Sequence, residues 1–251
     1  MVLTDDNFAT IVTAIREGRY VFSNIRKTIY FLLVCNLSEI VIMLFAQFMN
    51  WGMPLTPVML LLINVLGDGI PGLRLAQEQS DPRIMNRKPI GRNESFFNGL
   101  IRVITQQTIA FSVVGLIAYY CGTFIVFGGI TPSQAIGQTM AFLVIGFTSI
   151  LHVFTVRSRM SVFKRTIRDN MPMLYSAFGM IVLFSLMVII PQAGLLFDLV
   201  PIGVQAWLIV LGLTIVPTIV AEIFKAWDNR YELRLHQRRL VRHDLRDDWP
   251  V

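Results

Sequence analysis

The chain has 251 residues, of which 54% are hydrophobic and only 15% charged, with a formal net charge of +6. A water-soluble domain of this length needs far more charged surface, so these proportions exclude one and point to lipid as the outer solvent. The basic residues lie between apolar runs and are not gathered on one face, which argues against nucleic acid as a partner and for membrane topology.

Residues 1–27 are a mixed, charge-bearing segment. Thr4, Asp5 and Asp6 are N-cap candidates, and Phe8, Ile11, Val12 and Ile15 follow helical spacing. A stalk helix that runs into the first membrane helix is expected. No basic stretch leads into an apolar core here, so the segment is not read as a cleavable signal peptide.

Apolar runs follow at about 28–49, 55–77, 101–127, 136–156, 172–192 and 204–226. Each is long enough to cross about 30 Å of hydrocarbon at roughly 1.5 Å per residue. Pro71, Pro191 and Pro217 fall inside or at the ends of these runs, which membrane helices tolerate when neighbours satisfy the freed carbonyls. Residues 227–251 form a basic tail, read as an amphipathic helix resting on anionic headgroups.

The connections WGMP, GGITPSQ and QAGLLFDLVPIG carry no Lys or Arg, and all 22 basic residues fall at the other ends of the runs. The positive-inside rule then puts both termini in the cytosol, which requires an even number of spans. The expected fold is an all-α membrane protein. It has a six-helix bundle over 28–226, a cytosolic stalk over 1–27 and a basic cytosolic tail over 227–251. The bilayer is its first partner.

Three acidic residues lie within the apolar runs: Glu39, Asp68 and Glu222. Glu222 sits one turn from Lys225 at the end of the last run and reads as a snorkelling carboxylate. Glu39 and Asp68 sit near mid-span, where a charge is costly and marks an ion or proton path. Asn36 and Glu39 are three residues apart, Asn64 and Asp68 four, so each pair shares a helix face. Two amides and two carboxylates can then converge, a hard oxygen set suited to Ca²⁺, Na⁺, K⁺ or protons. The sequence Gly67-Asp68-Gly69-Ile70-Pro71 is expected to unwind the second span at the carboxylate and turn main-chain oxygens inward. Cys35 and Cys121 are read as small packing residues, and His152, with no ligand partner at useful spacing, as a packing or interfacial residue.

These residues resemble a known family. LTDDNFATIVTAIREGRYVFSNIRK is similar to the segment leaving the phosphorylation domain of P-type ATPases of the calcium-pump class. VCNLSE resembles their fifth membrane helix, LLLINVLGDGIP their sixth, and SDPRIMNRKP the cytosolic loop that follows. The resemblance implies that the six spans correspond to membrane helices five to ten of such a pump. It also implies that Asn36, Glu39, Asn64 and Asp68 are its ion ligands. Gly67 stands where the family has a threonine ligand, and Ser149 falls where its eighth helix carries a glutamate. With those two lost, at most about six side-chain oxygens remain for a Ca²⁺ that takes six to eight, which favours one ion site.

No DKTGT or TGES sequence is present, and Met1 coincides with a methionine that the family often carries inside a longer chain. The resemblance therefore implies a fragment lacking the catalytic headpiece, truncated or split from it. Its missing partners would be the phosphorylation, nucleotide and actuator domains and the first four membrane helices, with ATP and Mg²⁺ bound only there. The plasma membrane is the expected location. Rival readings are a non-enzymatic membrane fragment or subunit that assembles with a separate headpiece, a pump for Na⁺/K⁺ or H⁺, and a passive channel. The channel lacks an acidic ring or pore-lining repeat. The loop from Glu78 to Phe97, with Arg83, Arg87, Lys88 and Arg92, is expected to dock on the phosphorylation domain.

Overall fold

The computed structural model describes residues 8–78, 82–86, 97, 100–126, 131–157 and 171–247, without the side chains of 8, 82, 83 and 228–247. Six of its helices are long and apolar enough to cross a membrane. The first, α1, runs unbroken from Phe8 to Phe48, so stalk and first span are one rod. The N-cap candidates at its start lie outside the described residues. The last, α8 (Val204–Asp247), likewise carries the sixth span directly into the tail and passes through Pro217 without ending.

The chain leaves α1 through a turn in which Asn50 and Gly52 take positive φ. It re-enters a helix at Pro57, where the Thr56 hydroxyl accepts a hydrogen bond from the Met59 amide at 3.3 Å. A side-chain acceptor followed by proline is a strong helix start, because the first turn has amide donors to satisfy and none is wasted at Pro57. The second span is built in three pieces: α2 (Pro57–Leu62), a π-helical turn (Ile63–Asp68) and α3 (Gly69–Ala76). After a short 3₁₀ turn at Pro82–Asn86 come α4 (Ile101–Phe124), α5 (Gln134–Arg157) and α6 (Met171–Ile189). The short α7 (Pro191–Leu195) then links to α8.

The fourth span, α5, is the hub of the bundle. Its most apolar stretch is 89% buried, against 22% for that of α8. Glycines make this possible. A Cβ on Gly122 of α4 would stand 2.6 Å from the Gly137 Cα of α5, so the two backbones meet directly. Small residues that let helices approach are the main packing device where lipid and side chains are equally apolar. The outer faces carry Leu44, Leu61, Tyr175 and Leu208, each more than 60% exposed. A surface of that kind is stable against acyl chains and not against water.

Each end of the bundle is tied by polar contacts. At the end with the basic-free turns, Tyr119 donates to the Trp51 carbonyl at 2.7 Å and Gln138 to that of Met53 at 2.8 Å. Trp51 also meets Phe45, Tyr120 and Phe124 edge-on or tilted, an aromatic group of the kind that sits at a membrane boundary. At the basic end, Asn24 of α1 donates to the carbonyls of Ala76 and Glu78, at 3.2 and 2.6 Å. Glu78 in turn forms a buried ion pair with Arg157 at the end of α5. Arg19 reaches the Ile84 carbonyl at 3.1 Å, which fastens the 3₁₀ turn to the stalk. Arg87, Lys88 and Arg92 of that connection lie outside the described residues.

Candidate cation site

The buried stripe of α1 runs through Phe31, Val34, Cys35, Ser38, Glu39, Ile42 and Ala46. Its steps of three and four are those of one helix face. Glu39 is therefore turned into the bundle, 5% exposed, and Cys35 lies one turn before it, fully buried. Asn36 lies next to this stripe and outside it. Its side chain is exposed and donates to the Leu32 carbonyl of its own helix at 2.8 Å.

Opposite Glu39 stands the π-helical turn. Proline has no N–H, so Pro71 cannot supply the α-helical bond to the carbonyl four residues earlier. The backbone does not unwind, as the Gly-Asp-Gly-Ile-Pro pattern suggests it should. Gly69 keeps right-handed helical angles, φ −63° and ψ −50°, and its N–H reaches back five residues to the Asn64 carbonyl. One extra residue enters the turn, the local widening found most often at functional sites. It presents Asn64 and Asp68 to α1. The Asn64 amide donates to Glu39 Oε2 at 3.0 Å and to the Leu60 carbonyl at 2.9 Å. Asp68 is 1% exposed and near enough for its charge to act on Glu39.

Three carboxylate oxygens here are buried without a hydrogen-bond partner: Glu39 Oε1 and both oxygens of Asp68. Two carboxylates side by side in a medium of low polarity repel one another and are costly to bury. A cation or protons between them removes both costs. The structure thus brings together Glu39, Asn64 and Asp68 and leaves Asn36 apart. Among the described residues, no three His, Cys, Asp or Glu side chains are gathered tightly enough to hold a metal by themselves. Any ion must therefore also draw on amide, hydroxyl or main-chain oxygens.

Gly67 and Ser149 occupy different sides of this region. A Cβ on Gly67 would face the Phe184 ring of α6 at 3.5 Å and Ile63 at 3.6 Å. Ser149 of α5 is fully buried and donates to the Cys35 sulfur at 3.2 Å, with Asp68 beside both. The closeness of Cys35 to the site was readable from its four-residue spacing to Glu39, a signal that the Asn36–Glu39 spacing masks.

His152 is 2% exposed and packed among Tyr30, Phe31 and Phe111, with ring centroids 5.6, 6.0 and 5.0 Å away. It is held by a 2.9 Å contact to Thr155 Oγ1 and is a core residue. Glu222 does not snorkel freely. Its side chain is 14% exposed and accepts from Lys225 at 3.0 Å, while Lys225 also donates to the Thr155 carbonyl at 2.7 Å. The end of α5 covers this pair, and the sequence spacing alone does not reveal that cover.

A helical bundle with six helices long and apolar enough to cross a membrane defines a multi-pass integral membrane protein. The family model described as "Cation transporting ATPase, C-terminus" matches residues 52–227, and the chain belongs to that family. The relatives it matches are several times longer. It is 34% identical over 237 residues to calcium-transporting ATPase 1 of Bacillus cereus, covering 90% of this chain and 27% of that protein. It is 34% identical over 218 residues to the calcium-transporting ATPase of Bacillus subtilis, covering 87% and 24%. To human calcium-transporting ATPase type 2C member 1 it is 30% identical over 232 residues, covering 90% and 24%. The chain spans about a quarter of the length of these curated relatives.

Proposed function

We propose that this chain is the cation-binding membrane part of an ATP-driven pump, that Ca²⁺ is the ion carried, and that there is one ion site. The observation that carries the reading is the trio of buried, unpartnered carboxylate oxygens on Glu39 and Asp68, bridged by Asn64 across α1 and the π-helical turn. Hard oxygen ligands of this kind suit Ca²⁺, and the similarity to calcium-transporting ATPases supports that ion over Na⁺, K⁺ or H⁺. Asn36 joins the site from its exposed position if a further helix covers α1 there. An amide at that depth is otherwise a cost with no return. Ser149, where the family has a glutamate, adds no charge, which favours one ion over two.

In this reading ATP and Mg²⁺ are handled by parts of the protein outside this chain, the headpiece and the earlier membrane helices. Both termini face the cytosol, and the protein resides in the plasma membrane. Equilibrium binding of radioactive Ca²⁺ to the intact protein that carries this chain tests the site. One ion per protein is expected. Asp68→Asn should abolish binding at micromolar Ca²⁺, Glu39→Gln should weaken it less, and Ser149→Ala should cost much less than Asp68→Asn. Two bound ions would defeat the single site, and full binding by Asp68→Asn would defeat the assignment itself.

A further inference from the structure

We propose that the connection between α6 and α8 is a lipid-binding wedge. Its Leu195 and Leu196 lie among the upper acyl chains of the leaflet at the basic-free end of the bundle.

Residues 190–203 carry no Lys or Arg and one charged side chain, Asp198. They do not form an open loop above the bundle. The Val200 amide donates to Thr139 Oγ1 at 3.1 Å. Thr139 lies five residues past the start of α5 at Gln134. At roughly 1.5 Å per residue, the connection thus folds back about 7 Å along that helix, toward the middle of the bundle. Leu199 is buried in the main apolar core, and Phe197 and Ile202 pack against it. The turn itself is tightly closed. The Phe197 and Leu199 amides both donate to the Gly194 carbonyl at 2.9 Å, and a Cβ on Gly194 would stand 2.6 Å from the Leu199 carbonyl oxygen. Main chain that satisfies its amides within the protein can enter the edge of a bilayer, where an open loop cannot.

With its inner side fixed in the core, the turn leaves Leu195 80% and Leu196 75% exposed. A lone exposed leucine means little. These two are adjacent, held on a closed turn, and flanked by exposed apolar residues of both neighbouring helices, Ile189 of α6 and Val204 and Leu208 of α8. The lipid-facing surface of the two spans therefore runs on into the turn, and the same solvent covers it. Asp198, exposed and at positive φ, sets the limit of insertion. A carboxylate is held at the headgroup layer, so the leucines reach the boundary between headgroups and acyl chains and not the hydrocarbon centre.

The intact protein is placed in lipid nanodiscs, one copy in each, with its accessible cysteines replaced. Leu195→Cys and Leu196→Cys are labelled in turn with a nitroxide. Collision with oxygen, which concentrates in lipid, is compared with collision with a water-soluble nickel chelate, and depth is calibrated with spin-labelled lipids. Both labels should favour oxygen and lie about 5–10 Å below the phosphates, the depth of an interfacial apolar face. Labels that favour nickel would make the connection a water-facing loop. Labels shielded from both reagents would mean that protein covers the leucines. Either result overturns the inference. If the labelled variants do not fold, the unsubstituted protein decides, in nanodiscs containing a lipid with a diazirine near the top of its acyl chain. Photolysis should then place lipid adducts on Leu195 and Leu196. Adducts on Leu208 with none on the two leucines would overturn the wedge.

Discussion

Arg157 carries a guanidinium into the last buried turn of α5, where its side chain is 7% exposed and that of Glu78 only 1%. Nothing in the sequence pairs these two, 79 residues apart, because Arg157 reads as a topology signal and Glu78 as the start of the following loop. The folded bundle puts them together, and Asn24 holds the Glu78 carbonyl from a third helix. Removing one charge leaves the other buried and unpaired, a loss of about 3–5 kcal/mol, whereas replacing both with apolar groups is often neutral. Glu78→Gln and Arg157→Met should therefore each lower the thermal midpoint in detergent, while Glu78→Met with Arg157→Met recovers most of the loss. Additive losses in the double variant would show that the pair is not coupled. At Glu39 and Asp68 three carboxylate oxygens are instead buried without a hydrogen-bond partner, a gap the proposed cation would fill.

At the level of the helix, two features shape the bundle. One is the π-helical turn, which is α-helix widened by one residue and not the unwound stretch that Gly67, Gly69 and Pro71 suggest. Glycine and proline in a membrane helix remove a donor and relax sterics, and neighbouring helices then choose how the backbone re-forms its bonds. The other is the contact of α4 with α5. A Cβ on Gly137 would fall 2.0 Å from the Thr123 hydroxyl oxygen and 2.7 Å from the Tyr119 carbonyl oxygen. Neither helix can yield without losing packing along its length. Gly137→Leu is expected to cost about 1–3 kcal/mol through overpacking. It should lower the detergent melting temperature, whereas Gly212→Leu, with open space around it, should not. Equal behaviour of the two variants would mean that α4 and α5 are not in backbone contact.

For the whole molecule, the governing asymmetry is that of charge. All 22 Lys and Arg lie on one side of the expected six spans. The proposed topology follows, and labelling can test it in a background where Cys121 and the accessible cysteines of the rest of the protein are replaced, since Cys35 is buried. Ser133→Cys and Ala193→Cys should react only from outside the cytosol, and Ser161→Cys and Gln237→Cys only from within it. Cytosolic labelling of Ala193→Cys would break the six-span order. The exposed face of α1 around Asn36, Leu37, Ile40 and Leu44 bears on the same scale. In the proposed pump it is where the earlier membrane helices pack.

Hydropathy marked the four middle spans to within a few residues, along with the end of the first and the start of the last, because the cost of burying charge in lipid is large, additive and local to each run. The carboxylates Glu39 and Asp68 were legible for the same reason: a mid-span charge stands out against an apolar background. Asn64 was legible beside Asp68, but which α1 residue accompanies Glu39 was not settled by spacing. A helix apolar on every side carries no periodicity to mark its inner face, so Asn36 and Cys35 are equally good neighbours of Glu39 on paper. The positions of α3 and α5 around α1 turn Cys35 inward and Asn36 outward, bring Ser149 to the sulfur, and join Glu78 to Arg157. Those are consequences of packing between segments distant in the chain, and only the folded bundle decides them.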